Sequence, residues 1–520
     1  MFTEERATTT DGLEIPSASM QPAAVSGRPL RARVIEGVVW LTATRLSGQI
    51  ITWIITVIVV RLLSPEDYGL MGMAVLFTGV LYLFNEIGLG AAIVQRTDLS
   101  AQQLSDLRWV IVAVNVALFA VLLPLAPPVA AYFGEPQLVA IIRVLAIAFL
   151  LNGIGVPSAS ILQREMAFKE KAAAEIAGNL AGGVSTLVLA VLGYGVWSLV
   201  FGSLILRLVT TVLYCVYRPP VFNRSFSFRN VGLFTNFGFH VTASRFLWYL
   251  YSTADMAIIG KVLGSTQLGY YSLAFQYSSL PLEKFVTILN EIAFPSFSSV
   301  QHDTATLQRH YLKLVNFVAL VTFPMFIGLS LVADSAVVVF LGARWLPVVL
   351  PLRILCVVLC FRAIETIHAP LAMAKGRPQV VLGNTMLGAI VLPPSFYIGA
   401  RYAGIEGVAL AWLLTRPFLF GIVTARTLRV VELGWARYMS GLWHPIVGCL
   451  VMIAVVLIAG VYMHGMGPIS RLLLESLAGC AAYLTYNVLF NFSALQEVTE
   501  TFTLSSYRFS RGSTALVVRR

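Results

Sequence analysis

Runs of about 20 apolar residues, the length that crosses a bilayer as an α-helix, recur along the chain. Short turns such as "SPEDYG", "FGEPQ", "LGYG" and "LGST" separate them. The pattern predicts an all-α polytopic membrane protein with about 14 transmembrane helices, the first starting near Val38 and the last near Leu472. Two polar stretches flank the spans. Residues 1–35 are rich in Thr, Ser, Pro and Ala, lack the apolar core of a cleavable signal peptide, and read as a disordered cytoplasmic tail. Residues 496–520 read as a basic cytoplasmic tail.

Composition supports this reading. Of 520 residues, 58% are hydrophobic and 12% charged, against roughly a quarter charged in soluble domains. The net charge of +11 would suggest a nucleic-acid partner if the basic residues formed a patch. They do not. With the N-terminus placed in the cytoplasm, 23 of the 36 Lys and Arg fall on inside segments and five on outside ones. This bias orients a membrane protein with both termini inside and leaves no role for nucleic acid. The five cysteines all lie in apolar runs and form no disulfide framework, and no metal-ligand spacing or cofactor motif is visible.

A duplication runs through the chain. "TRLSGQIITWIITVIVVRLLSPEDYGLMGMA" (44–74) lies over "SRFLWYLYSTADMAIIGKVLGSTQLGYYSLA" (244–274), matching Arg45 with Arg245, Arg61 with Lys261 and Gly69 with Gly269. At an offset of 205, Asn85-Glu86 meets Asn290-Glu291 and Gly178-Asn179 meets Gly383-Asn384. Each repeat holds six spans, an even number, so both enter the membrane in one orientation. Two six-helix lobes related by a pseudo-two-fold along the membrane normal follow, with a substrate site expected between them. The N-lobe is set at 36–218, a basic linker at 219–231, the C-lobe at 232–430, and two extra helices at 431–495.

"RLLSPEDYGLMGMA", "EIGLGAAIVQR", "LQREMAFKEKA", "LGYGVWSLV" and "DMAIIGKVLGSTQLGYYSLAFQY" together resemble the polysaccharide transporters of the multidrug/oligosaccharidyl-lipid/polysaccharide exporter superfamily, nearest the Wzx-type flippases of the colanic acid branch. The resemblance covers roughly residues 36–430. It implies a bacterial inner-membrane protein, not an enzyme. Such a protein moves an undecaprenyl-diphosphate-linked oligosaccharide from the cytoplasmic to the periplasmic leaflet by alternating access, for exopolysaccharide or lipopolysaccharide synthesis. A polymerase and a chain-length regulator are the implied partners. Glu86 departs from the family, which usually carries Asp there. A lipid II-type flippase, a drug/cation antiporter on the same fold, and a membrane polymerase or glycosyltransferase are the competing readings. The last is disfavoured by outside loops of only about 5–15 residues, since such enzymes hold their acid/base groups outside the bilayer.

Charges inside the spans nominate the site, because each costs about 2.5–3.5 kcal/mol unless it faces a partner or a wet cavity. The eight cations there are Arg45, Arg143, Arg207, Arg245, Lys284, Arg353, Arg362 and Arg416. Arg45 and Arg245, matched on the first helix of each lobe, are expected to contact the diphosphate through their bidentate forks. Glu86, Glu291, Asp255, Arg362, Glu365 and His368 are candidates for gating or ion coupling. In "FRAIETIH" the i, i+3 spacing allows Arg362 to pair with Glu365. The aromatic residues Phe246, Trp248, Tyr249, Tyr251, Tyr270, Tyr271 and Tyr277 read as an interfacial belt or packing, with glycan contact as the alternative.

Overall fold

The computed structural model describes residues 51–85, 100–220, 248–463 and 465–492, with isolated positions 48, 49, 93, 246 and 496; at 284–292 it describes the helix but not the side chains. The described residues from 51 onward belong to one compact unit. Its helices are α1 (Ile51–Leu62), α2 (Pro65–Tyr82), α3 (Ala101–Phe133), α4 (Gln137–Arg164), α5 (Phe168–Val191), α6 (Val196–Tyr217) and α7 (Ala254–Leu263). They continue with α8 (Ser265–Ser299), α9 (Thr304–Leu331), α10 (Val349–Glu365), α11 (His368–Ala374), α12 (Pro378–Val430), α13 (Trp435–Tyr462) and α14 (Pro468–Phe490). Among the described residues, nine stretches are helical, long and apolar enough to cross a membrane. The expected first and seventh spans begin at residues outside those described.

Helix is the solution such a sequence requires, since lipid offers no partner to backbone N–H and C=O groups. The helix ends sit at the turn signals. Ser64 and Asp67 form a reciprocal capping box that starts α2, with Pro65 at the first helical position. Ser100 and Gln103 do the same for α3, and the Asp303 side chain caps α9. Gly134, at φ 77°, closes α3 in the left-handed conformation that only glycine adopts without cost. The 53-residue α12 is two helices: backbone at Ala403 and Gly404 leaves the helical region. The two halves fold back on each other so closely that a methyl on Gly399 would sit 2.6 Å from the carbonyl carbon of Gly407.

The helices gather into two bundles. One holds α2 to α6 and the other α7 to α12, with α13 and α14 packed on α9 of the second. Tyr483 of α14 ties that pair down by donating to the Leu320 carbonyl at 2.9 Å. Small residues allow close approach within the first bundle, as Gly178 and Gly182 of α5 meet Leu206 and Thr210 of α6.

The bundles join where α2 and α8 begin, and the joint is reciprocal. Gly69 packs against the backbone of Ser265, and Gly269 against the backbone of Pro65. Both pairs are the positions aligned by the duplication. Arg61 donates to the Val339 and Phe340 carbonyls, at the end of the helical stretch Val337–Leu341 of the second bundle. Its counterpart Lys261 donates to the Tyr132 carbonyl near the end of α3 in the first. Each repeat thus places a cation on a helix C-terminus of the other, where carbonyl dipoles favour positive charge. Trp345 Nε1 donates to the Val60 carbonyl at 3.0 Å, and Ser265 Oγ to Glu135 Oε1 at 2.7 Å.

Candidate functional site

Charged residues of α7, α10 and α12 lie close together inside the second bundle. Asp255, in the first turn of α7, is 1% exposed. Its Oδ2 accepts from Tyr271 Oη of α8 at 2.9 Å and from Trp412 Nε1 of α12 at 3.1 Å, and its Oδ1 from the Met256 N–H at 2.8 Å. Three donors account for the burial of a carboxylate that would otherwise be prohibitively costly. Asp255 is therefore a joint between three helices as well as a charge.

Glu365 does not take Arg362, its neighbour one turn away, as its ion-pair partner. It pairs with Arg416 of α12 at 2.5 Å, and the two side chains are 16% and 11% exposed. Arg416 also stands over the Trp412 ring, its Cζ 5.5 Å from the centroid. The α10–α12 contact is close enough for Arg416 to satisfy Glu365 across helices, which leaves Arg362 half-buried with no carboxylate within 4 Å among the described residues. Its charge acts through space on Asp255, Glu365, Arg416 and Tyr251. Arg362 lies 12 residues before Ala374 at the end of its span, about 18 Å along the helix. A guanidinium at that depth with its fork not taken by a carboxylate among the described residues can hold an anion.

His368 is not part of this group. It opens α11, is 3% exposed, and its ring lies 6.3 Å from those of Tyr311 and Phe420. Neither ring nitrogen has a hydrogen-bond partner. Arg45, Arg245 and Glu86 lie outside the described residues, and Glu291 lies in α8 where side chains are not described. Arg353, one of the intramembrane cations, is bound by Asp334.

Most of the aromatic group at 246–277 sits between helices. Tyr249 donates to the Leu76 carbonyl at 3.1 Å, Tyr270 packs edge-on to Trp345, and Tyr277 lies 6.3 Å from Trp53. Trp248 is exposed. Of the two that hold Asp255, Tyr271 belongs to that aromatic group, whereas Trp412 carries no periodicity or spacing that marks it in the sequence.

Known proteins place this arrangement. The chain is 25% identical over 444 residues to the lipopolysaccharide biosynthesis protein WzxC of Escherichia coli, covering 84% of this chain and 89% of that protein. It is 28% identical over 411 residues to the teichuronic acid biosynthesis protein TuaB of Bacillus subtilis, covering 77% and 83%. Among solved structures, the lipid II flippase MurJ in an inward closed conformation superposes with a TM-score of 0.72 at 15% identity, over 88% of this chain and all of that one. An inward-facing multidrug transporter of the MATE family gives 0.59 at 15% identity, over 73% and 95%. These structures share the fold. Residues 58–350, more than half of the chain, match the family described as polysaccharide biosynthesis protein, and the chain belongs to that family.

Proposed function

We propose that the protein is a flippase that carries an undecaprenyl-diphosphate-linked oligosaccharide from the cytoplasmic to the periplasmic leaflet of the plasma membrane, supplying exopolysaccharide or lipopolysaccharide synthesis. The observation that carries this is Arg362. A guanidinium deep in a span, outside ion-pair distance of every carboxylate among the described residues, suits an anionic head group that must leave water. A drug/cation antiporter would be poorly served by a guanidinium there. The names of the relatives support the same substrate class.

In this reading both termini are cytoplasmic, and the joint between α2 and α8 closes the periplasmic end. The head group enters from the cytoplasm, and rocking of the bundles opens the joint for release. Arg45 and Arg245 add diphosphate contacts, while Glu86 and Glu291 close the inner mouth in the alternate state. The polymerase and chain-length regulator of the same pathway take the product. A clean deletion tests this: lipid-linked repeat units should accumulate in the cytoplasmic leaflet. Arg362→Gln should fail to restore export while reaching the membrane at normal level. Normal glycan export in a deletion strain with no paralogue would refute the proposal.

A further inference from the structure

Apart from the charged group of the second bundle, the first bundle holds a cleft of about 210 Å³ between α4, α5 and α6. Its polar lining includes Asn152, Glu175, Asn179, Arg207, Thr210 and Tyr214. Arg207 is 11 residues from Val196 and 10 from Tyr217, the two ends of α6. That is roughly 16 and 15 Å, the middle of a hydrocarbon core about 30 Å thick. It has no ion-pair partner among the described residues; its guanidinium stands over the Tyr82 ring, Cζ 5.2 Å from the centroid. Asn152, at the buried floor of the cleft, donates to the Tyr82 hydroxyl and so fixes that ring. On the other wall, Glu175 Oε1 accepts from Tyr214 Oη at 3.2 Å. The Asn179 amide nitrogen is spent on the Glu175 carbonyl at 2.8 Å, which leaves its Oδ1 free to accept. Glu175, Asn179 and Arg207 are all exposed, so the groups that can exchange partners stand at the mouth.

Three features select the ligand. The volume is below the roughly 300–1,000 Å³ of sites for drug-sized molecules, so it admits one ring and not an oligosaccharide. The mouth carries one cation and one carboxylate, so a diphosphate would gain Arg207 but meet Glu175. The groups with capacity left are the forked donor of Arg207, the remaining acceptor sites of Glu175 and Asn179 Oδ1, with the Tyr214 ring in the wall, and they match the alternating hydroxyls and the C–H face of a neutral pyranose. A lipid chain would offer no donor to Asn179 Oδ1 or to the remaining acceptor sites of Glu175, and no acceptor to the Arg207 fork.

We propose that this cleft is a subsite for a single neutral sugar ring, a place where the first bundle reads one unit of the glycan while the diphosphate is held elsewhere. It rests on the flippase reading for its physiological role but not for its binding chemistry. The test is saturation-transfer NMR on the full-length protein in nanodiscs, with glucose, galactose, mannose and N-acetylglucosamine as probes and inorganic pyrophosphate as competitor. A single ring should bind in about the millimolar range. Glu175→Ala should weaken binding about tenfold or more, through loss of hydrogen bonds to a charged acceptor. Ala159→Phe, which adds bulk to the cleft wall while keeping each of its polar residues, should abolish binding. Absence of signal from all four sugars, signal unchanged by both substitutions, or displacement of the sugar by pyrophosphate would each overturn the subsite. If the deletion strain exports glycan normally while Ala159→Phe still abolishes sugar binding, the transport reading falls and the subsite stands. If export needs the protein but Ala159→Phe binds and exports as wild type, the subsite alone falls.

Discussion

If the crossing of α2 and α8 is the periplasmic seal of the proposed flippase, adding one methyl there should hold that side open. A Cβ at position 69 would sit 2.5 Å from the Ser265 carbonyl carbon and 2.9 Å from its Cα; at position 269 it would sit 2.6 Å from the Pro65 carbonyl carbon. Carbon atoms in contact rest at about 3.5–4.0 Å, and the Ser265 and Pro65 carbonyl oxygens lie closer still, so the helices must part by at least about 1 Å. The obstructing atoms are backbone, so no rotamer change relieves the clash. Overpacking of this kind costs about 1–3 kcal/mol, and if the proposed open state breaks the contact, the closed-to-open ratio should fall about 5–150-fold. Leu268 is fully buried at this joint beside Gly72 and reports on it. In cells carrying Leu268→Cys, a membrane-impermeant maleimide should label slowly, and Gly69→Ala or Gly269→Ala should speed labelling by that factor while export falls. Gly178→Ala is the control. Its methyl would meet the Leu206 carbonyl oxygen at 2.9 Å inside the first bundle, so it should lower stability without changing labelling. Unchanged labelling in a folded Gly69→Ala/Gly269→Ala double variant would refute the assignment of this crossing as the periplasmic seal.

Four further outcomes follow from the geometry. Glu365→Gln should lower thermal stability in detergent by about 3–5 kcal/mol by stranding Arg416, and Glu365→Gln/Arg416→Met should recover most of it; additive losses would contradict the pairing. Trp412→Phe should cost about 1–3 kcal/mol by removing one of the donors to buried Asp255, and a neutral result in the same melt would show that the bond is dispensable. Arg61→Ala and Lys261→Ala should each raise maleimide labelling at Leu268→Cys, since each strips a cation from a helix C-terminus across the joint. Hydrogen bonds from the Thr306 hydroxyl and backbone hold the Asp303 carboxyl below its usual range. A depressed folded pKa stabilises above the unfolded value, about 3.9, and that contribution is lost as pH falls through the folded one. Asp303→Ala should therefore melt below wild type at pH 7, with the gap closing below about pH 4; a constant gap would mean the charge is irrelevant.

The helix ends were legible because capping is local. Ser64, Pro65 and Asp67 declare the start of α2 within four residues, and Gly134 and Gly264 mark turns by their freedom at positive φ. The duplication was legible as aligned identities, and it surfaces in space as the reciprocal contacts of Gly69 with Gly269's repeat and of Gly269 with Gly69's. The ion pair was not. Spacing along one helix nominates neighbours, so it offered Arg362 to Glu365, whereas the actual partner lies 51 residues on. Asp255 stood out as an acid in an apolar run, but its Trp412 donor is 157 residues away and looks like any other aromatic residue of a membrane helix. The cleft of the first bundle escaped for the same reason: Asn152, Glu175 and Arg207 come from three helices, and only Arg207 was conspicuous alone.

The joint between the bundles has the geometry of a two-fold dimer interface written into one polypeptide. In a true homodimer, any substitution at such an interface is made twice, and both contacts change together. Here the halves are free to differ, and they do: one clamp is an arginine, the other a lysine, and one glycine faces proline where the other faces serine. Selection can therefore adjust the strength of the seal in half-steps. A substitution too costly when doubled becomes a fine adjustment when made once, and the rate at which the molecule opens can be tuned without loss of closure.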